Sequence, residues 1–243
     1  MKSIDLNCDV GEGIGNEAEL MPFLSSCNIA CGLHAGDDRT MEEVVQLAIT
    51  HRVCIGAHPS LDDRENFGRS EMIISKDELS SLIMSQVEKL ILKAEVLGGK
   101  VNYVKPHGAL YNMAAKSEEM SRTIVETLTH IDPALRLMGL SGSAMEKASK
   151  NKIGFIAEGF ADRRYNSTTE LKNRNSAGLM TDFEEIKAQL ETLLKSGLIQ
   201  TDEGLQPLFV QSLCLHGDTP GAVGLISRIH ELIVSMGIQI KAA

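Results

Sequence analysis

The chain has 243 residues, of which 43% are hydrophobic and 23% charged, with a formal net charge of −9. This composition is typical of a globular protein with a sizeable core, and no apolar run reaches the ~18 residues that a membrane-spanning helix needs. No block of Lys and Arg occurs and only 4% of the residues are aromatic, which disfavours nucleic-acid binding.

The first residues and the cysteines indicate the compartment. Asp5 comes too early for a secretory signal, and Cys27 and Cys31 have no second pair to complete a structural zinc site. We therefore expect a cytoplasmic protein with five reduced thiols.

Short β-branched runs alternate with longer amphipathic segments along the whole chain. Capping-box patterns at Thr40–Glu43, Ser75–Glu78 and Thr181–Glu184 mark three helix starts. Apolar residues recur every three or four positions from Leu79 to Leu97, which predicts a helix that ends at the following glycines. The predicted strands are SIDLNCDV (3–10), SCNIAC (26–31), VCIGAHP (53–59), VNYVKPHG (101–108), LRLMGLSG (135–142), IGFIAEGF (153–160), VQSLCLHGD (210–218) and, as an eighth candidate, IQIKA (238–242).

Strands that alternate with helices indicate parallel strands joined by crossovers. Seven or eight such units predict an α/β fold, namely a β/α barrel, with a doubly wound open sheet as the alternative. Because the chain shows no linker, low-complexity segment or close repeat, we expect a single domain over residues 1–243.

Charged and imidazole side chains are concentrated where the predicted strands end. In a β/α barrel these ends meet at one mouth, so residues distant in sequence would share a pocket. A buried-looking strand that carries a carboxylate or a lysine needs a partner or a function for that group. The residues at these positions are Asp9, Glu12, His34, Asp37, His58, Lys105, His107, Glu158, Asp162, Arg163, His216 and Asp218.

Carboxylates and imidazoles around a pocket indicate hydrolytic chemistry, because they can activate water and protonate a leaving nitrogen. His34 and Asp37 are either metal ligands, with Asp9 and His58 as further ligands, or a pair in which the carboxylate orients the imidazole. Zinc, manganese and nickel would fit such a set equally well, and the sequence leaves open whether a metal binds. A phosphate loop and a serine-nucleophile elbow are both missing from the sequence.

Six long motifs, in this order, resemble the LamB/YcsF family. They extend from Asp5 almost to the C-terminus and are far more specific than any single short pattern. The motifs are DLNCDVGEG (5–13), NIACGLHAGD (28–37), IGAHPSLDDRENFGR (55–69), VKPHGALYN (104–112), EGFADRRY (158–165) and LCLHGDTPGAV (213–223).

The resemblance implies a distorted barrel related to the polysaccharide-deacetylase-like barrels. It also implies a 5-oxoprolinase activity, the ATP-dependent opening of the 5-oxoproline lactam to glutamate, with Mg²⁺ accompanying ATP. Two further subunits, which resemble the parts of an allophanate hydrolase, would take part. Two alternatives remain: a stand-alone metal-dependent amide hydrolase or deacetylase, and a non-catalytic substrate-binding subunit.

The candidate residues divide into three groups. The metal candidates are His34 and Asp37, with Asp9 and His58 as possible additions. The candidate catalytic residues are Asp9, Glu12, His58, Lys105, His107 and Glu158, and the candidate substrate-binding residues are Asn7, Arg69, Asp162, Arg163, His216 and Asp218.

Overall fold

Seven parallel strands close into a barrel surrounded by helices. The computed structural model describes residues 1–243, apart from the side chain of Asn175. The strands are β1 Ser3–Val10, β2 Ser26–Ala30, β3 Cys54–His58, β4 Val101–Val104, β5 Arg136–Leu140, β6 Gly154–Phe160, β7 Tyr165–Ser167, β8 Glu170–Leu171, β9 Leu198–Thr201, β10 Gly204–Pro207, β11 Ser212–His216 and β12 Gln239–Ile240. The helices are α1 Glu17–Leu20, α2 Asp38–His51, α3 Lys76–Val96, α4 Gly108–Lys116, α5 Glu118–Ile131, α6 Ala144–Ser149, α7 Phe183–Ser196 and α8 Ala222–Ser235.

The barrel order is β1-β2-β3-β4-β5-β6-β11, and β11 pairs back to β1 in parallel. All seven strands coincide with predicted runs, so the barrel is confirmed and the open sheet is excluded. The eighth candidate run does not enter the barrel. The β1–β11 register starts at Asp5, so only Ser3 and Ile4 are left to pair with β12.

Two short antiparallel hairpins were not predicted. β7 pairs with β8, and β9 pairs with β10, all within the connection from β6 to β11. Their strands have two to four residues and few buried apolar side chains, so the sequence carries no hydrophobic run that would indicate them.

The helix starts were predicted with mixed success. The Ser75–Glu78 capping box at the start of α3 is confirmed. The other two capping boxes are wrong, because aspartates cap these helices in place of Thr40 and Thr181. Asp37 accepts from the amide of Thr40 at the start of α2, and Asp182 accepts from the amide of Glu185 at the start of α7. None of the helices described here combines the length and the apolar character needed to cross a bilayer.

The two faces of β1 show how the barrel separates its core from its polar interior. Leu6, Cys8 and Val10 belong to the apolar cluster that packs under the helices. Asp5, Asn7 and Asp9 alternate with them and are buried with other polar side chains of the barrel. Because consecutive strand residues point to opposite faces, the barrel interior is polar and leads to the strand ends where the predicted site lies.

Candidate active site

The carboxyl ends of the barrel strands surround a cavity of about 290 Å³. Its lining combines opposite charges, imidazoles and aromatic rings within one small space. The charged and imidazole residues that line it are Asp9, His58, Arg69, Lys105, His107, Arg163, Lys172, Arg174 and His216.

Lys105 lies at the floor of this cavity between two carboxylates. Its Nζ is 2.9 Å from Oδ1 of Asp9 and 2.9 Å from Oε1 of Glu158. Burial alone would lower the pKa of Lys105, but Asp9 and Glu158 raise it well above its ordinary value. Burial would raise the pKa of Asp9, but the charges of His58 and Lys105 lower it well below its ordinary value. The floor therefore holds an ammonium and an ionised carboxylate side by side.

The remaining polar atoms of the floor have partners. Asn28 donates to Oδ1 of Asp9 and to Oδ1 of Asn7, and Asn7 donates to Glu158 and Ser212. Tyr111 donates to the second oxygen of Glu158 at 2.8 Å. Since Glu158 is fully buried and already accepts these bonds, it holds Lys105 in place, whereas Asp9 faces the cavity.

Four buried side chains form what we call the histidine–glutamate cluster: Glu12, His34, His58 and His107. Oε1 of Glu12 lies 3.2 Å from Nε2 of His34, 3.2 Å from Nδ1 of His107 and 3.8 Å from Nε2 of His58. Burial would raise the pKa of Glu12, but hydrogen bonds with His107 and His34 lower it below its ordinary range. Burial lowers the pKa of His34 to about 4, because it disfavours the charged imidazole.

Backbone carbonyls fix the protons of two imidazoles in this cluster. Nδ1 of His58 faces the carbonyl of Lys105 at 2.7 Å, and Nε2 of His107 faces the carbonyl of Phe67 at 2.8 Å. A carbonyl only accepts, so both nitrogens carry protons. In the neutral rings the other two nitrogens carry lone pairs, yet they face each other at 2.9 Å. A proton or a cation is therefore needed between them.

Left-handed glycines make room for the cluster, which explains the small residues around His34. Gly68 has φ +66°, and a Cβ atom on it would lie 2.9 Å from both Cδ2 of His107 and Cβ of His34. Gly36 has φ +72°, and its Cβ would lie 2.9 Å from the carbonyl oxygen of Gly11. A side chain at either position would displace the loops that carry Glu12 and His34.

His216 is held on the opposite side of the cavity by Asp162. Nδ1 of His216 lies 3.0 Å from Oδ1 of Asp162, which also accepts from the hydroxyl of Thr219 at 2.7 Å through its other oxygen. Burial would raise the pKa of Asp162, but His216 and these hydrogen bonds lower it. The carboxylate of Asp162 thus accepts from Nδ1 of His216, which fixes the orientation of the ring and leaves Nε2 free for the cavity.

The outer part of the cavity carries guanidinium groups. Asp218 bridges Arg69 and Arg174: its Oδ2 lies 2.6 Å from Arg69, and its Oδ1 lies 2.6 Å from Arg174. Arg163 is buried and donates to the backbone carbonyls of Lys172 and Gly178.

Of the sequence-predicted site residues, seven line the cavity: Asp9, His58, Arg69, Lys105, His107, Arg163 and His216. Five others contact these directly: Asn7 and Glu158 contact Lys105, Glu12 contacts His58 and His107, Asp162 contacts His216, and Asp218 contacts Arg69. His34 stacks on His107 and contacts Glu12. The exception is Asp37: its exposed carboxylate caps α2 through Thr40, so it does not join His34. The prediction of a His34–Asp37 pair is therefore wrong. Asn28, Tyr111 and Arg174 were missed, since two neutral side chains and a loop arginine carry no strand-end charge signal.

A divalent metal fits the histidine–glutamate cluster. One ligand atom from each of its four residues lies within 4.8 Å of the others. The outer nitrogens of His58 and His107 are bound to carbonyls, which is the usual support for metal-ligating imidazoles. Nδ1 of His34 is buried without a hydrogen-bond partner, and a three-imidazole, one-carboxylate set suits zinc and similar metals.

Comparison with known proteins identifies the family of this chain. The sequence pattern of the LamB/YcsF family matches residues 4–243. The chain belongs to the LamB/YcsF family. Its curated relatives include the 5-oxoprolinase A subunit of Haemophilus influenzae (strain PittEE), 43% identical with all of both chains covered. The 5-oxoprolinase A subunit of Shouchella clausii (strain KSM-K16) is 41% identical, with 100% of this chain and 99% of the relative covered.

Solved structures place this LamB/YcsF barrel among related folds. The lactam utilization protein from Thermus thermophilus matches with a TM-score of 0.92 at 32% identity, with both chains fully covered. A family 4 carbohydrate esterase from Streptomyces lividans matches with a TM-score of 0.52 at 8% identity, covering 98% of this chain and 91% of the esterase. The second likeness concerns the fold alone, and it shows that the esterase has a similar barrel.

Proposed function

We propose that this chain is the A subunit of a 5-oxoprolinase, which hydrolyses the lactam of 5-oxoproline to L-glutamate with cleavage of ATP. The main support is the small cavity whose floor presents Asp9 beside Lys105 and the histidine–glutamate cluster. The names of the curated relatives support the substrate and the multisubunit assembly.

ATP would activate the lactam, because a five-membered lactam is an amide with a poor leaving group. The lactam oxygen takes the γ-phosphoryl group, the bond to ADP breaks, and the lactam nitrogen loses its proton. Water then adds to the activated carbon, and the carbon–nitrogen bond breaks as the nitrogen is protonated. The resulting acyl phosphate reacts with a second water, which gives glutamate and inorganic phosphate.

Roles for the side chains follow from their surroundings. Asp9 lines the cavity and stays ionised, so it is the candidate base for water, while Glu158 holds Lys105. The ammonium of Lys105 would stabilise negative charge that develops on the attacked carbon's oxygens. His216, which Asp162 orients from the other side of the cavity, is the candidate acid for the leaving nitrogen.

A metal, where bound, would be held by Glu12, His34, His58 and His107 and would supply a more acidic water. ATP and Mg²⁺ are assigned to the partner subunits, which would resemble the parts of an allophanate hydrolase. The cavity of about 290 Å³ lies at the lower end of small-molecule sites and suits an amino-acid-sized ligand.

The test is reconstitution of the chain with two such partner subunits, 5-oxoproline, ATP and Mg²⁺, with glutamate release as the readout. We expect Asp9→Asn and His107→Ala to lower glutamate release by at least ~100-fold. Asp37→Asn, at the exposed cap of α2, is the matched control and should keep most of the activity. Near wild-type release from Asp9→Asn and His107→Ala would overturn the proposal.

The histidine–glutamate cluster also favours a second candidate, a stand-alone metal-dependent amide hydrolase or deacetylase. That function predicts amide hydrolysis by the isolated chain, without ATP, and loss of activity on chelation. Measuring the isolated chain with 5-oxoproline and with simple N-acetyl compounds separates the two candidates.

A further inference from the structure

The segment between β3 and α3 presents apolar side chains to solvent. Ile73 is fully exposed and Met72 is 42% exposed, whereas the next residue, Ile74, packs against the core. The segment is held at both ends, because the amide of Ser70 donates to a loop carboxylate and Ser75 begins the capping box of α3. Met72 and Ile73 are therefore displayed on the surface by a segment that is anchored on both sides.

These two side chains border an apolar groove with a volume of about 330 Å³. We call it the methionine groove, and its apolar residues are Met72, Ile73, Ile74, Leu79, Met113 and Met120. Met113 on α4 and Met120 on α5 pack partly against the core. Methionine side chains are flexible and polarisable, and they are common on surfaces that bind other proteins. A single exposed apolar side chain is common, but one that borders an apolar groove is typical of an interaction site.

The methionine groove adjoins the mouth of the barrel but lies outside the cavity. Helix α4 separates the two, since Tyr111 and Asn112 line the cavity and Met113 lines the groove. The loop that carries Met72 also carries Arg69, which lines the cavity. A protein bound in the groove would therefore lie beside the mouth without filling the active site.

The rim of the methionine groove is acidic. Residues 71–78 and 113–126, which frame the groove, contain six acidic and three basic residues. Both lysines of these segments are already paired with carboxylates, and the third basic residue, Arg122, neutralises at most one more. The exposed acids of the rim that take part in none of the described ion pairs are Glu71, Asp77, Glu118 and Glu119.

We propose that the methionine groove is the docking site for a partner subunit, which inserts an apolar side chain into the groove and surrounds it with lysine and arginine residues. This inference rests on the proposed function for the existence of the complex. Charge selects the occupant, because a basic surface is attracted to the unpaired carboxylates of the rim. A second copy of this chain is disfavoured, since a two-fold contact would place two acidic rims against each other.

The test measures binding of the full-length chain to its two partner subunits, purified from the same organism. We expect Ile73→Asp to weaken binding at least ~10-fold, because it places a charge at the apolar centre of the contact. Glu119→Lys should weaken binding at least ~3-fold at low salt, and this loss should shrink in ~0.5 M NaCl, where exposed charges are screened.

Val96→Asp is the matched control. Val96 is an apolar residue that is 86% exposed, but it lies at the other end of α3 and outside the groove. This variant should bind the partner subunits as tightly as wild type. Because Ile73 is fully exposed and outside the cavity, Ile73→Asp should unfold at the wild-type temperature and should recover glutamate release at high concentrations of the partner subunits.

Binding and turnover separate this inference from the proposed function. Wild-type affinity in Ile73→Asp overturns the docking site even where the complex releases glutamate. A complex that is lost in Ile73→Asp and kept in Val96→Asp supports the docking site, and if that complex releases no glutamate from 5-oxoproline, the choice of substrate is wrong. Self-association of the isolated chain that Ile73→Asp abolishes would assign the groove to a second copy and overturn the proposal. Failure of the wild-type chain to bind either partner subunit would overturn both.

Discussion

The ammonium of Lys105 and the carboxylate of Glu158 meet at 2.9 Å in the interior of the barrel, where both side chains are buried. Asp9 completes the arrangement from the other side of the same ammonium. These three buried charges stabilise one another, because removal of any one leaves buried charge of the opposite sign less well compensated. The site is therefore part of what holds the barrel interior together.

Replacement of Lys105 by Met should destabilise the protein by about 3–5 kcal/mol, because it leaves two buried carboxylates without their counterion. The double variant Lys105→Met with Glu158→Gln should recover part of this loss, since one of the two carboxylates is then neutral. Urea unfolding at pH 7 measures both. A double variant no more stable than Lys105→Met would show that the charges are not coupled.

The barrel was predictable because its seven strands carry apolar runs and its site residues follow those runs directly. Asp9, His58 and His216 lie at the ends of their strands in both sequence and structure. No comparable signal marks Arg174, which is brought to the cavity by an irregular segment between the β7–β8 hairpin and α7. Asp37 was misassigned because an acid three residues after a histidine can serve equally as a helix cap.

Metal binding by the histidine–glutamate cluster can be measured without any assay of activity. We expect the chain to retain about one equivalent of Zn²⁺ after loading and dialysis, since two lone-pair nitrogens face each other beside the carboxylate of Glu12. His58→Gln and His107→Gln should each lower the retained metal at least ~10-fold. The control is His51→Gln on the exposed end of α2, which should retain as much metal as wild type. Unchanged metal content in His107→Gln would exclude the cluster as the site.

Two aspartates should show opposite pH dependence of stability. Burial raises the pKa of Asp5 above its ordinary value of 3.8, although the hydroxyls of Ser212, Ser25 and Ser26 oppose the shift. The unfolded chain therefore loses this proton first as pH rises, and the wild type loses stability between pH 3.8 and the folded pKa. The free energy of unfolding of Asp5→Asn, relative to that of wild type, should therefore increase from pH 4 to pH 7.

Asp37 provides the contrast, because hydrogen bonds from Thr40 lower the pKa of its carboxyl. The ionised carboxyl of Asp37 stabilises the folded protein at pH values above its ordinary pKa. This stabilisation is lost as the pH falls through the pKa that the carboxyl has in the folded protein. Asp37→Asn should therefore cost more stability at pH 7 than at pH 3. Urea unfolding across this pH range checks both variants, and parallel curves for the two aspartates would contradict the assigned directions.

A methyl group at Gly68 should disable the site while leaving the barrel folded. In Gly68→Ala the Cβ atom would press on His34 and His107, each 2.9 Å away, and would occupy a left-handed conformation at φ +66°. Gly13→Ala is a close control: Gly13 has φ +80°, and a Cβ atom there meets nothing within 4 Å.

Both variants should lose about 1–2 kcal/mol from backbone strain. Only Gly68→Ala should also lose at least ~10-fold of its metal retention and glutamate release, because its imidazoles are displaced. Equal losses of function in the two variants would mean that backbone strain, and not contact with the imidazoles, accounts for the effect.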